Sequence, residues 1–275
     1  MEHRNLIKLN LARNCLRYII RCFGIKEIHM PYYICPAVWQ AARKENCAIK
    51  FYHIDNNFLP AREFAENDYI LYPNYFGISS KNVHKLMRLY KNLIVDNAHN
   101  YFMPDCGLAS FNSLRKFFNV KDGAFLYISQ LSSENFPQDE YYYATCRDKT
   151  FKEFCKNELR LEHEPVKLIS RCSEQLFEEI DKEQEKQRRL EIFKQLHTAL
   201  HSTNKLDIKL AKEDVPFVYP YLTYDETFAA KLENNGISIL RYWEALPEYF
   251  PEYDFYKYLV PVPLDLNVLN SKNIF

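Results

Sequence analysis

The stretch SFNSLRKFFNVKDGAFLY, residues 110–127, sets Lys116 between Arg115 and two phenylalanines, just ahead of an Asp-Gly turn. A solvated lysine keeps polar neighbours, so this one reads as placed for chemistry. Two further groups stand where chemistry needs them. Asp96 closes the apolar run NLIV and is followed by Asn97, Ala98 and His99. Arg13 and Asn14 open a helical segment whose N-terminal amides suit an anion. Singly, an aspartate after a strand is a common turn residue and a lone lysine a common surface charge. Together, a lysine, a carboxylate, the hydroxyls of Ser110 and Ser113 and a helix N-terminus are what pyridoxal 5'-phosphate requires. The amine bonds the cofactor aldehyde. The carboxylate keeps the pyridine nitrogen protonated, since an opposite charge in a poorly solvated site favours both ionised forms. No glycine-rich loop is present to cradle the phosphate, because the five glycines are isolated.

The elements that must position these residues follow from periodicity. NLARNCLRYIIRCF, residues 10–23, has apolar residues at helical spacing and Gly24 as its C-terminal cap. KEIHMPYYIC reads as a short strand stopped at Pro31, PAVWQAARKEN as a helix and CAIKFYHID as a strand. DYILYPNYFG, KNVHKLMRLY and NLIVDNAHNYF continue as strand, helix and strand, and AFLYIS as a strand after the lysine turn. Strands alternating with short helices predict βαβ units and an α/β fold built on a mostly parallel sheet. In such sheets ligands bind beyond the carboxyl ends of the strands, where Asp96 and Lys116 fall. Residues 129–170 give no clear periodicity, and tyrosines cluster at 141–143. Residues 171–201 read as one long helix with a solvated charged face over an apolar stripe. VPFVYPYLTYD, ETFAAKLENNGISIL and YLVPVPLDL then predict strand, helix and strand of a small α/β unit. The expected division is a large cofactor-binding domain over 1–165, with a linking helix and small C-terminal domain over 166–275.

Composition bounds the partners. Lysine plus arginine number 36, as do aspartate plus glutamate, so no net field draws the chain to nucleic acid or anionic lipid. At 47% hydrophobic and 16% aromatic, its 275 residues support a sizeable core. The eight cysteines form no C-x-x-C pair, and charges and prolines interrupt every apolar run. With no signal-peptide pattern read at the start, the expectation is a soluble cytoplasmic chain with reduced thiols, no membrane and no nucleic acid.

The motifs also carry a family likeness. VDNAHNYF resembles the E-D-x-A-H/Q element of the DegT/DnrJ/EryC1/StrS sugar aminotransferases, which are fold type I pyridoxal-phosphate enzymes. SFNSLRKFFNVKDGAFL is similar to that family's serine-to-lysine segment with its closing D-G-A/G turn. ARNCLRYII resembles its first helix, and MPYYICPAVWQAARKENCAIKFYHID its strand-helix-strand. The likeness runs from about residue 10 to 128 and resumes at YPYLTYDETFAAKLENNGISILRYW and VPVPLDL. It implies Lys116 as the cofactor-bonding lysine, Asp96 as the partner of the ring nitrogen and His99 beside the ring hydroxyl. It implies Ser113, with Ser110 as rival, and the backbone at Arg13 and Asn14 as phosphate ligands. Ala12 stands where a glycine is usual. Cys35 falls where many members stack an aromatic on the cofactor ring, a role open to Tyr33 or Tyr75. The chain is short for the family between the lysine strand and the long helix.

The activity the resemblance implies is amino transfer from an amino-acid donor to a keto sugar, nucleotide-linked substrates being the family's usual class, in surface polysaccharide or related glycan biosynthesis. It further implies a homodimer. A dehydratase-type relative would carry histidine at the lysine position. The reading from a different class is a shortened, non-catalytic or regulatory paralogue that binds cofactor or a protein partner. Arg241, Tyr242 and Trp243 are candidates for a sugar pocket, and Arg115 for steadying an anion. His197 and His201 have metal-pair spacing without a third ligand, and read as helix-surface residues.

Overall fold

The computed structural model describes residues 4–140, 151–243 and 246–270, except the side chains of 151–155 and 270. The tyrosines at 141–143 lie outside the described residues. A seven-stranded sheet forms the centre: β1 (Asn5–Leu9), β2 (Glu27–Pro31), β3 (Ala48–Tyr52), β4 (Ile70–Pro73), β5 (Leu93–Asn97), β6 (Ala109–Asn112) and β7 (Ala124–Ile128). Its order is β1-β7-β6-β5-β4-β2-β3. Strands β2 to β6 pair in parallel, while β7 is antiparallel to both β6 and β1, so β7 alone opposes the rest. The mostly parallel sheet expected from the strand-helix alternation is present.

The central strands are apolar throughout because both faces are covered. In β4 and β5, Leu71 and Ile94 face α1 (Ala12–Phe23) and α2 (Pro36–Lys44). Their neighbours Ile70, Tyr72, Leu93 and Val95 face the opposite way, joining a core shared with α3 (Ser80–Leu89) and with residues beyond 190. Helix α1 ends on Gly24 in the left-handed conformation, φ 62°, whose amide donates to Arg21 and Ile20 carbonyls.

After β7 the structure departs from the periodicity in two places. Phe151–Glu162 forms helix α4, in a stretch where no element is expected from sequence. The single helix expected over 171–201 is two, α5 (Arg171–Glu179) and α6 (Lys182–Leu200). Asp181 breaks it: its backbone is extended and its carboxylate accepts the Gln184 amide at 2.9 Å, a new N-cap. The C-terminal residues add β8 (Val218–Leu222), α7 (Thr227–Asn234), α8 (Tyr253–Tyr258), β9 (Leu259–Pro263) and α9 (Leu266–Asn270). Strands β8 and β9 pair antiparallel as a separate two-stranded sheet.

Candidate functional site

The carboxyl ends of β5 and β6 lie side by side, with Asp96 in register with Phe111 and Asn97 with Asn112. Asp96 therefore leaves β5 next to the short turn, Leu114–Lys116, that follows β6. Its carboxylate accepts the Ala98 amide at 2.8 Å, which folds the chain back and sets His99 alongside. That turn is held closely by its neighbours. A Cβ on Gly77, whose φ is +74°, would stand 2.1 Å from the His99 carbonyl oxygen and 2.7 Å from that of Val215. Only glycine lets the β4 loop approach this near.

A cavity of about 860 Å³ opens beyond these strand ends, with Arg13, Arg115, Lys116, Arg241 and Tyr242 in its walls. Cys35, Lys116 and Trp243 also line a smaller recess of about 20 Å³, whose floor is Asp96, Ala98 and His99. Lys116 thus stands at the junction, with its ammonium 5.5 Å from the centre of the Phe217 ring. Burial lowers the lysine pKa, and the neighbouring Cys35 and Asp96 oppose that shift. Burial likewise raises the Asp96 pKa, against the pull of Lys116. The His99 pKa lies well below its ordinary value because of burial, with Lys116 adding to the shift. Its ring packs against Phe217 at 4.9 Å and Trp243 at 5.8 Å.

The remaining sequence candidates divide. Arg13 reaches the larger cavity, where its guanidinium donates to the Glu162 carbonyl at 3.3 Å. Arg115 makes a bidentate pair with Glu158 of α4, a wall that sequence periodicity had not marked. The amide of Asn14 donates to Asn10 at 2.9 Å and to the Pro165 carbonyl at 2.8 Å, turned toward the β1 end. Ser110 accepts the Cys106 amide at 3.2 Å, and Ser113 is buried at the start of the lysine turn. Neither serine is among the residues lining the two cavities. Tyr33 and Tyr75 are fully buried, with hydroxyls donating to the Tyr242 and Tyr33 carbonyls. The aromatic residue beside Cys35 is instead Trp243. Phe217 was not singled out from sequence, where a lone phenylalanine in VPFVY reads only as strand.

An amine, a buried carboxylate and a cation lining connected space are a donor set that fits pyridoxal phosphate. The recess over Asp96 has room for about one water, so an aromatic ring reaching that carboxylate requires Trp243 to shift.

No family model matches the chain, and no curated protein does. Solved structures do match. Spr1654 from Streptococcus pneumoniae, assigned as a sugar aminotransferase and solved in its PMP form, superposes with a TM-score of 0.67 at 14% identity, over 98% of this chain and 83% of that one. PseC from Helicobacter pylori, an aminotransferase of pseudoaminic acid biosynthesis, gives 0.63 at 15% identity, covering 98% and 84%. A DegT DnrJ EryC1 StrS aminotransferase from Brucella abortus gives 0.64 at 11% identity, covering 98% and 83%. At these identities the likeness is one of architecture: the chain has the fold type I arrangement of these aminotransferases.

Proposed function

We propose that this protein is a pyridoxal-phosphate-dependent aminotransferase that transfers an amino group from an amino-acid donor to a keto sugar. The observation that carries the reading is the meeting of Lys116 and Asp96, from adjacent strand ends, in one buried recess. When bound, the cofactor supplies an aldehyde for the amine and a ring that accepts electrons. Lys116 is the residue that would bond that aldehyde, and as a free amine it would carry protons at Nζ. Burial favours its neutral, nucleophilic form. Asp96 would face the ring nitrogen and keep it protonated. His99, kept neutral by burial, would lie beside the ring hydroxyl. Arg13, which lines the larger cavity, would hold the phosphate through its backbone together with that of Asn14; Ser113, or Ser110, would join them only by turning from its buried place, and Cys35 would border the ring. Arg241 and Tyr242 form the sugar side of the cavity.

The nucleotide-linked form of the sugar, a role in surface polysaccharide assembly and a homodimer come from likeness to the neighbours and belong to the same proposal. So does a division of labour in which residues 1–165 bind the cofactor and 166–275 close over it. The test is direct. Purified protein given cofactor should show a visible band that bleaches with an amino donor, and borohydride should fix the cofactor on Lys116. Lys116→Ala should still bind cofactor without fixation, with turnover lower by roughly 10²–10⁴-fold. Asp96→Asn should fix cofactor but retain it less well, since removing one member of a buried charge pair costs about 3–5 kcal/mol. A parent protein that takes up no cofactor would instead be the non-catalytic paralogue. Fixation that persists in Lys116→Ala would assign the lysine wrongly.

A further inference from the structure

Helix α6 is rich in charge, yet Arg189 on it is only 7% exposed. Its side chain points inward to the lysine turn. Nη1 donates to the Phe217 carbonyl at 3.1 Å and Nη2 to the Lys116 carbonyl at 3.5 Å. The guanidinium carbon lies 4.5 Å from the centre of the Phe117 ring, the residue after the lysine. Glu185, one turn earlier, pairs with Nε at 2.7 Å and supplies the countercharge.

These contacts converge on one unit. The Phe217 ring lies 5.5 Å from the Lys116 ammonium and stacks with His99 at 4.9 Å and 27°. The Phe217 amide is itself anchored on the Phe76 carbonyl at 2.8 Å. One guanidinium thus joins the backbone of the lysine to the backbone of the residue on whose ring the amine rests. A planar fork can reach two carbonyls while lying on an aromatic face, and a lysine ammonium cannot reproduce that geometry. Burial brings the Arg189 pKa down to about 10, so it remains a cation at neutral pH.

We propose that Arg189 is a positioning residue, which sets the Lys116 amine against the Phe217 ring by clamping the carbonyls of residues 116 and 217. It rests on Lys116 being the reactive amine of the function proposed above. The charged and titratable groups facing that amine are Asp96, Cys35, Arg115 and Glu158, with His99 alongside. Loss of the clamp lets the amine move toward solvent, which favours its protonated form.

The test reads the amine without cofactor. The full chain is methylated with formaldehyde and a hydride reagent from neutral to alkaline pH, and modification of Lys116 is followed by peptide mass spectrometry. In Arg189→Met, which keeps an apolar stem, the midpoint of the Lys116 profile should rise by about one pH unit, a roughly tenfold change in the neutral fraction. Arg189→Lys keeps the charge without the fork and should show a rise of similar size. Phe217→Leu leaves the carbonyl bonds and removes the ring that steadies the ammonium, so with the clamp intact the midpoint should fall rather than rise; this variant serves if the Arg189 variants do not fold, and a raised midpoint in it would overturn the proposal. A lower melting temperature with an unmoved Lys116 profile would make Arg189 merely structural and overturn the proposal. A parent-like profile in Arg189→Lys would assign the effect to charge alone, with the same consequence. Cofactor fixation in the parent is scored separately: its failure with shifted variant profiles would sink the enzymatic reading and leave the clamp standing.

Discussion

Replacing Asp122 should loosen the turn that follows Lys116, and the structure gives the size of the effect. The Asp122 side chain is fully buried. Its carboxylate accepts the Ser170 amide at 2.9 Å and the Ser170 hydroxyl at 2.6 Å. The Ser170 hydroxyl accepts the Ser173 amide at 3.2 Å and so caps α5, while the Ser173 hydroxyl receives the Asp122 amide at 3.3 Å. Each hydrogen bond to a charged acceptor contributes about 1.5–3 kcal/mol, so Asp122→Ala removes roughly 3–6 kcal/mol of interaction. Burial opposes the gain and raises the Asp122 pKa, which places the expected loss near the lower bound, about 3 kcal/mol. In a chain of this length that is a fall of roughly 6 °C or more in melting temperature. Urea titration of Asp122→Ala, Ser170→Ala and the double variant supplies the cycle, with a coupling of about 1–3 kcal/mol expected. A loss under about 1 kcal/mol, or strictly additive variants, would refute the account of this turn.

Two other outcomes follow from the site. His99 holds a pKa well below its ordinary value, so between those two values the unfolded chain binds a proton that the folded chain does not. His99 therefore subtracts stability as pH falls through that window, and His99→Gln should lose less urea resistance than the parent between neutral and mildly acid pH; equal losses would contradict the burial of this ring. Trp243→Ala should retain pyridoxal phosphate several-fold more tightly in equilibrium dialysis, because the indole narrows the space over Asp96. Weaker retention would mean that the indole packs on the ring.

The parts of the fold that could be read in sequence are those where one local signal suffices. NLIV and ILY are apolar on consecutive residues because both faces of β5 and β4 are covered. Helix α1 shows its spacing and its Gly24 cap. Strands β1 and β6 gave no such signal. NLIKL mixes one lysine into an edge strand, and ASFN carries Ser110 and Asn112, whose polarity is satisfied internally; Asn112 accepts the Phe125 amide at 3.1 Å. The break at Asp181 was legible in principle, since an aspartate three residues before a glutamine is a capping signal, but the dense charge around it concealed the cap. At the site, Asp96 stood out by closing an apolar run and Lys116 by its aromatic neighbours ahead of an Asp-Gly turn. Arg189 did not, because within EKQRRLE nothing local separates a buried arginine from its solvated neighbours. Its burial is decided by Phe117 and Phe217, far away in the chain.

Strand β1 pairs with β7 along its length and is bridged at Leu9 to Leu168; β7 is the nearer of the two in sequence, with Asn5 and Ile128 123 residues apart. On a ribosome working at 5–20 residues per second, β1 would wait roughly 6–25 s for that partner to be made. During this interval NLIKL is an open strand whose amides and carbonyls invite any other strand. Lys8 sits within it as a deterrent to such pairing, and later finds Glu174 at 2.7 Å. The order of synthesis thus makes the first strand of the sheet among the last to be secured, and nascent-chain proteolysis should find it open until β7 has emerged.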